Sequence, residues 1–255
     1  MGLGSDWKEI VSQLESSYYC IMPDLPGHGE SGTSMIESSF GWNEAVDTII
    51  GLFDHLKLPE VNLVGYSMGG RLALATALKI PSRIAVLVLE STNPGIENEF
   101  ERKARQAADD EEARELEKVG VERFLDEWYS TPMWESLRRF PDKMERLRRS
   151  RRVHQVRALS RALRELSVAR QTPVWDKLQE LPMRVLLVSG ALDHKYSRIT
   201  HRMSELIRHS RWKEIGDAGH NTHLERPEAF VRALTSFLKE SAVDLVKQGK
   251  NREIV

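Results

Sequence analysis

The stretch Val61–Leu74, VNLVGYSMGGRLAL, constrains the chain more than any other. Val61–Val64 is a short apolar run of the kind that forms a buried parallel strand, and Arg71–Leu78 (RLALATAL) has the composition of a helix. Between them stands Gly65-Tyr66-Ser67-Met68-Gly69. Gly-x-Ser-x-Gly at a strand-to-helix junction is a nucleophile elbow, a strained turn that lifts the serine oxygen above the sheet edge. The glycines let strand and helix approach without side-chain clashes. A serine that opens a helix is also a good cap, so the pattern alone admits a purely structural reading. The flanking strand and helix favour the nucleophile.

The rest of the chain supplies the sheet around that elbow. Asp6–Leu14 carries Trp7, Ile10, Val11 and Leu14 at helical spacing, and Tyr18–Met22 has the composition of a short strand. Pro23–Gly32 is a turn-rich loop in which His28 suits a structural role. Asn43–Leu56 is amphipathic, and Ile84–Leu89 (IAVLVL) is an uninterrupted apolar strand, as expected when both sheet faces are covered. From Pro94 to Leu181 the texture changes to charged helical patterns punctuated by Pro132, Pro141 and Pro173. Sheet texture returns at Met183–Ser189, followed by a helix near Ser197–His209, a strand near Trp212–Ile215 and a helix at Pro227–Lys239. This alternation predicts an α/β fold with a doubly wound, mostly parallel sheet. Residues 1–93 and 182–255 form its core, and residues 94–181 form an all-helical insertion expected to act as a lid over the strands' carboxyl ends, where ligands bind in such folds.

With 40% hydrophobic and 29% charged residues and a formal charge of −1, the composition makes no case for nucleic-acid or membrane-surface binding. No stretch is long and apolar enough to span a bilayer or to act as a secretory signal, which points to the cytoplasm, or to a plastid if a transit peptide has been lost. The lone Cys20 excludes an internal disulfide framework and is expected as a small buried apolar residue.

An activated serine needs a base and an orienting acid, and on an elbow fold these come in the order Ser, Asp/Glu, His. Asp193 sits just past Met183–Ser189 and His220 just past Trp212–Ile215, both at the strand edge that carries Ser67. His220 is expected to take the serine proton while Asp193 holds the imidazole tautomer. His194 and His223 compete for the base role, and Asp217 is too close to His220 in sequence to reach it from another loop.

The elbow, the DLPGHGES loop and the GALDHKY and GHNTHLE segments resemble the α/β-hydrolase superfamily. More narrowly, Gly65–Arg71, Trp128-Tyr129, Ser167–Gln171 and Gly190–Tyr196 are similar to the 2-succinyl-6-hydroxy-2,4-cyclohexadiene-1-carboxylate synthase (MenH) family of menaquinone and phylloquinone biosynthesis. The resemblance implies a lyase that eliminates pyruvate from a tricarboxylate substrate, with the Ser-His-Asp triad abstracting a proton and with neither metal nor organic cofactor. It implies an oxyanion hole that includes the Met68 N–H, carboxylate contacts from Arg71, Arg105 and Arg149, and a pocket walled by Trp128 and Tyr129. Tyr66 adds a hydroxyl beside the serine. Arg138–Arg170 contains eleven Arg and one Lys against three acidic residues, and most of these charges, Arg138, Arg151 and Arg161 among them, are expected to be solvated.

The family carries strands and a His-Gly-aromatic loop ahead of its first helix. This sequence starts at Met1-Gly2-Leu3-Gly4-Ser5-Asp6-Trp7, which resembles the family's segment immediately after that loop. The expectation is an unpaired sheet edge, association into a homo-oligomer or aggregate through it, and slow turnover. Two other activities suit the same residues: a serine hydrolase cleaving an ester, thioester or C–C bond, and a non-catalytic relative that only binds carboxylates.

Overall fold

Three apolar runs and one mostly polar segment become four parallel strands in a computed structural model that describes residues 1–34 and 40–247. They are β1 (Val61–Tyr66), β2 (Ile84–Glu90), β3 (Arg184–Gly190) and β4 (Ser210–Ile215), in the spatial order β1-β2-β3-β4. In β2 the side chains of Val86 and Val88 pack on one face with Ile10, Leu186, Val188, Phe230 and Phe237, while Leu87 and Leu89 pack on the other with Leu74, Ala77, Leu187 and Met203. Both faces are buried, which is why this strand reads as continuously apolar rather than alternating.

The major helices are α1 (Trp42–His55), α2 (Met68–Lys79), α3 (Glu99–Ser130), α4 (Pro141–Arg151), α5 (Val156–Glu165), α6 (His194–Leu206) and α7 (Pro227–Lys247). α6 starts earlier than its apolar spacing predicts because the Asp193 side chain caps it, accepting from the Tyr196 N–H at 3.1 Å. Among the described residues no helix is long and apolar enough to cross a membrane.

Two expected elements differ. The helix expected over Asp6–Leu14 is a 3₁₀ turn, Gly4–Trp7, and a single α turn, Lys8–Val11. Beyond it Ser12 Oγ and Gln13 Nε2 both donate to Glu9 O, a side-chain competition that draws acceptors away from the helix ladder. Ile10 and Leu14 are nevertheless buried as the pattern requires. Tyr18–Met22 forms no strand. It keeps a strand-like alternation, with Tyr18 and Cys20 turned to the core and Tyr19 80% exposed. Among the described residues β1 pairs with β2 alone, and a cavity lies between its other edge and this segment, so the segment has no ladder to join. Cys20 is accordingly half-buried rather than buried.

Between β2 and β3, among the described residues, the chain is helical and contains no strand. α3 bends at Gly120, whose φ of 77° and ψ of 169° are non-helical. Leu116 and Phe124 of α3 pack on Leu159 of α5. The insertion leaves and returns through one neck: Val174 N–H donates to Pro94 O and Trp175 Nε1–H to Gly95 O, both at 2.9 Å. Gly95 makes the neck possible, since a Cβ there would stand 2.6 Å from Pro173 Cα and its φ is +114°.

Candidate active site

Ser67 heads α2 with φ 49° and ψ −112°, a conformation costly for a residue with a side chain. The surroundings enforce it. A Cβ on Gly65 would lie 2.6 Å from Gly69 O, so strand and helix meet here only through glycine. The Ser67 N–H donates to Glu90 O, and Thr92 Oγ1 donates to Ser67 O, so the turn is fixed against the end of β2. Its serine oxygen is left to project from the sheet edge.

β3 and β4 deliver the other two groups. His220 Nε2 lies 3.1 Å from Ser67 Oγ, and His220 Nδ1 lies 2.7 Å from Asp193 Oδ2. His220 is buried, and the rings of Tyr66, Tyr196 and Trp134 surround it at centroid distances of 5.4, 4.5 and 6.0 Å. An imidazole in that setting can accept the serine proton through Nε2 while its Nδ1–H is held by the carboxylate. The Met68 N–H belongs to the first turn of α2, where N–H groups have no helical acceptor, as an anion site requires.

Ser67, Met68 and His220 line a cavity of about 570 Å³ that continues along the free edge of β1. Tyr66, Trp128 and Tyr129 are on its wall, with the buried Tyr66 hydroxyl lacking a hydrogen-bond partner. So are two of the three arginines singled out from the sequence. Arg71 is 8% exposed, donates through Nη2 to Leu166 O at 2.7 Å and through Nη1 to Gln171 Oε1 at 3.3 Å, and sits over the Trp42 ring. Burial lowers its pKa to about 10, so it remains a cation at neutral pH. Arg105 Nε donates to Asp109 Oδ1 at 2.8 Å, and Asp109 in turn accepts from Ser167 Oγ.

Arg149 is placed elsewhere. Its side chain is 73% exposed, pairs with Glu145 one helical turn away, and does not reach the cavity. Arg151, expected to be a solvated charge, is buried on the cavity wall and donates through both Nη atoms to Asp6 at 2.7 and 2.6 Å. Two residues apart on α4, the pair points to opposite sides. Composition could not separate them; the apolar neighbours Met144 and Leu147, which are buried and mark the inward face, could have.

The competing histidines are also accounted for. His194 opens α6, and His223 Nδ1 contacts Glu90 Oε2 at 2.7 Å while its ring stacks on Trp7. Glu90 carries a signal that periodicity passes over: a carboxylate closing an otherwise apolar strand. It is fully buried and also accepts from Thr222 Oγ1 and the His223 N–H. Among the described residues no cluster of three or more His, Cys, Asp or Glu could hold a metal.

Comparison with known proteins places this geometry. Residues 1–227 match the family defined by the alpha/beta hydrolase fold. A Bacillus subtilis (strain 168) protein assigned as a 2-succinyl-6-hydroxy-2,4-cyclohexadiene-1-carboxylate synthase is 33% identical over 238 residues, covering 93% of this chain and 86% of the relative. Protein PHYLLO, chloroplastic, of Arabidopsis thaliana is 33% identical over 253 residues; the match takes in 93% of this chain but 15% of that much longer protein. The solved structure of MenH from S. aureus superposes with a TM-score of 0.89 at 31% identity, covering 94% of this chain and 90% of that one. In sequence and in structure the chain belongs to the α/β-hydrolase fold family and, within it, to the 2-succinyl-6-hydroxy-2,4-cyclohexadiene-1-carboxylate synthase (MenH) family.

Proposed function

We propose that this chain is the lyase of that family: it eliminates pyruvate from a succinyl-enolpyruvyl-hydroxycyclohexene carboxylate to give 2-succinyl-6-hydroxy-2,4-cyclohexadiene-1-carboxylate in menaquinone or phylloquinone biosynthesis. The observation that carries the proposal is one cavity that holds both a serine in contact with a carboxylate-paired histidine and buried arginines. A simple ester needs only the first; a tricarboxylate needs both.

The substrate's carboxylates meet Arg71 and Arg105, whose planar guanidiniums grip a carboxylate through paired hydrogen bonds. Arg151, already paired with Asp6, ties the insertion to the chain's first turn on the cavity wall. Ser67, its proton passed to His220, removes a ring proton beside the succinyl ketone, and the C–H electron pair becomes an enolate. The Met68 N–H stabilises the oxygen on which that charge develops. Collapse of the enolate through the ring breaks the bond to the enolpyruvyl oxygen, and the departing enolate takes up a proton to become pyruvate. No acyl-enzyme forms. Asp193 holds the imidazole in the tautomer that leaves Nε2 free to accept. The helical insertion, which contributes Trp128, Tyr129 and Arg105, serves as the lid that excludes water from the enolate.

The test supplies the enolpyruvyl substrate, generated in situ, and follows pyruvate release beside hydrolysis of a small aryl ester. Rapid pyruvate release with feeble esterase activity is the expected result. The reverse identifies a hydrolase, and binding without either reaction identifies a carboxylate-binding relative.

A further inference from the structure

His220 is flanked by two backbone N–H groups that share one carboxylate. Glu225 is 2% exposed; its Oε2 accepts from the Gly219 N–H at 2.9 Å and its Oε1 from the Asn221 N–H at 3.4 Å. The same Oε1 accepts from Ser136 Oγ at 3.0 Å, and Ser136 belongs to the helical insertion, 89 residues away. Ser136 also presses on the backbone beside His220, since a Cβ on Gly219 would stand 1.9 Å from its Oγ. More of the insertion rests on this loop: Lys143 Nζ donates to Leu224 O, and Arg139 donates to both Asp217 O and Asp217 Oδ1.

The other end of the loop is tied to the sheet. Glu90, at the end of β2, accepts from Thr222 Oγ1 and the His223 N–H. The segment carrying His220 is therefore suspended between a fixed anchor on the strand and an attachment on the insertion. Glu225 is the group common to the backbone on either side of His220 and that attachment. Burial holds its carboxyl above the usual carboxylate range, an upward push that the Gly219 N–H, Ser136 Oγ and Asn221 N–H only partly offset. Donors on both oxygens call for the ionised form as acceptor.

We infer that Glu225 is a positioning residue that sets His220 against Ser67 and, through Ser136, makes that setting depend on the seating of the helical insertion. The inference rests on the proposed base role of His220, although it concerns the Ser67–His220 contact rather than the identity of the substrate. Misplacing a reacting group by about 1 Å costs on the order of 10²-fold in rate, so a small shift of this loop is sufficient.

Two variants and two readouts test it. Glu225→Gln replaces one acceptor oxygen by a donor, and Ser136→Ala removes only the bond from Glu225 to the insertion. Each is assayed for pyruvate release and for phosphonylation of Ser67 by an alkyl fluorophosphonate, which reports serine activation whatever the natural substrate is. Glu225→Gln is expected to lower kcat and the labelling rate together by about 10²-fold with KM within about twofold of wild type. Ser136→Ala is expected to lower both by about tenfold with Tm unchanged. If wild type labels rapidly but releases no pyruvate, the lyase reading fails and the labelling series still decides the positioning role. Wild-type labelling rates in both variants would overturn the inference, even if Glu225→Gln unfolded at lower temperature. A wild-type rate in Ser136→Ala alone would overturn the dependence on the insertion.

Discussion

Two histidine–carboxylate pairs lie side by side at the carboxyl edge of this sheet, and only one of them faces a serine. His220 meets Asp193 and His223 meets Glu90 through the same nitrogen at the same distance, 2.7 Å. Tyr66 contacts both rings, with centroids 5.4 and 5.1 Å away. The difference is at the far side of each ring. His220 turns Nε2 to Ser67, whereas His223 lies flat against Trp7 at 4.1 Å. A carboxylate-paired imidazole is thus a component that serves two ends: with its second nitrogen on a serine it is placed to move a proton, and with its face on an indole it holds a loop to a strand.

The contrast breaks most sharply by substitution in the reactive pair. His220→Ala should lower pyruvate release by about 10⁴–10⁶-fold, and Asp193→Asn by about 10⁴-fold through loss of the correct tautomer, with far-ultraviolet circular dichroism and Tm near wild type. Activity within about tenfold of wild type in either variant would remove that pair from the chemistry. In the other pair the effect should move from rate to stability. Glu90→Ala leaves His223, the Thr222 hydroxyl and a backbone N–H buried without their acceptor, which should cost about 3–5 kcal/mol in urea unfolding. The kcat of its folded fraction should suffer far less than in Asp193→Asn, and equal kinetic losses would erase the distinction between the two pairs.

A third histidine environment sharpens the comparison, because it contains no carboxylate partner at all. His28 and His154 are buried edge to face, and the Gly29 N–H donates to His154 Nδ1 at 3.0 Å. Burial, reinforced by nearby positive charge, lowers His154 to about 4 and His28 well below its usual value. The folded protein therefore holds both rings neutral where the unfolded chain takes up protons. Their contribution is complete above about pH 6.5 and is lost as the pH falls toward 4, on the order of 3 kcal/mol for His154. Tm measured from about pH 7 to about pH 4.5 should fall, and His154→Gln should flatten that dependence; a flat wild-type profile would contradict it. The arginines show the smallest version of the same contrast. Arg71→Ala should raise KM by about 10–100-fold, corresponding to about 1.5–3 kcal/mol of charge-assisted hydrogen bonding, whereas Arg149→Ala on the exposed face should change it by less than about twofold. Equal effects would mean a diffuse field instead of a specific grip.

The legible part of the site was the part written in backbone geometry. Gly65 beside Ser67 forces a close turn, Asp193 comes directly after an unmistakable apolar run, and His220 comes after a shorter, mostly polar strand, so parallel topology brings them to one edge. The arginines were harder because α4 is charged on nearly every side, and which of Arg149 and Arg151 turns inward depends on a helix phase set by Met144 and Leu147. Tyr18–Met22 misled for a different reason. Its alternation reports burial on one side, which it has, but a strand also needs a neighbour, and pairing is not encoded in the segment itself. Glu225 and Ser136 lie outside what periodicity can reveal, since their bond joins positions that are adjacent only once the insertion has folded.

The neck at Pro94-Gly95 and Pro173–Trp175 makes the helical insertion an excursion that leaves the sheet and returns to it at one place. Two hydrogen bonds close it at the base, and beyond them the insertion bears on the loops at the carboxyl edge, through Ser136, Arg139 and Lys143, rather than on the strands themselves. Doubling the length of a closed excursion costs only about 0.6 kcal/mol of chain entropy. A shorter or differently charged segment grafted between Gly95 and Pro173 should leave the four strands and the elbow in register. It would carry away Arg105, Arg151, Trp128 and Tyr129 together. On the proposed reading the nucleophile belongs to the frame and the substrate's carboxylates are recognised in part by the graft, so substrate preference can be exchanged as a block provided the new segment keeps the Ser136 contact that seats the His220 loop.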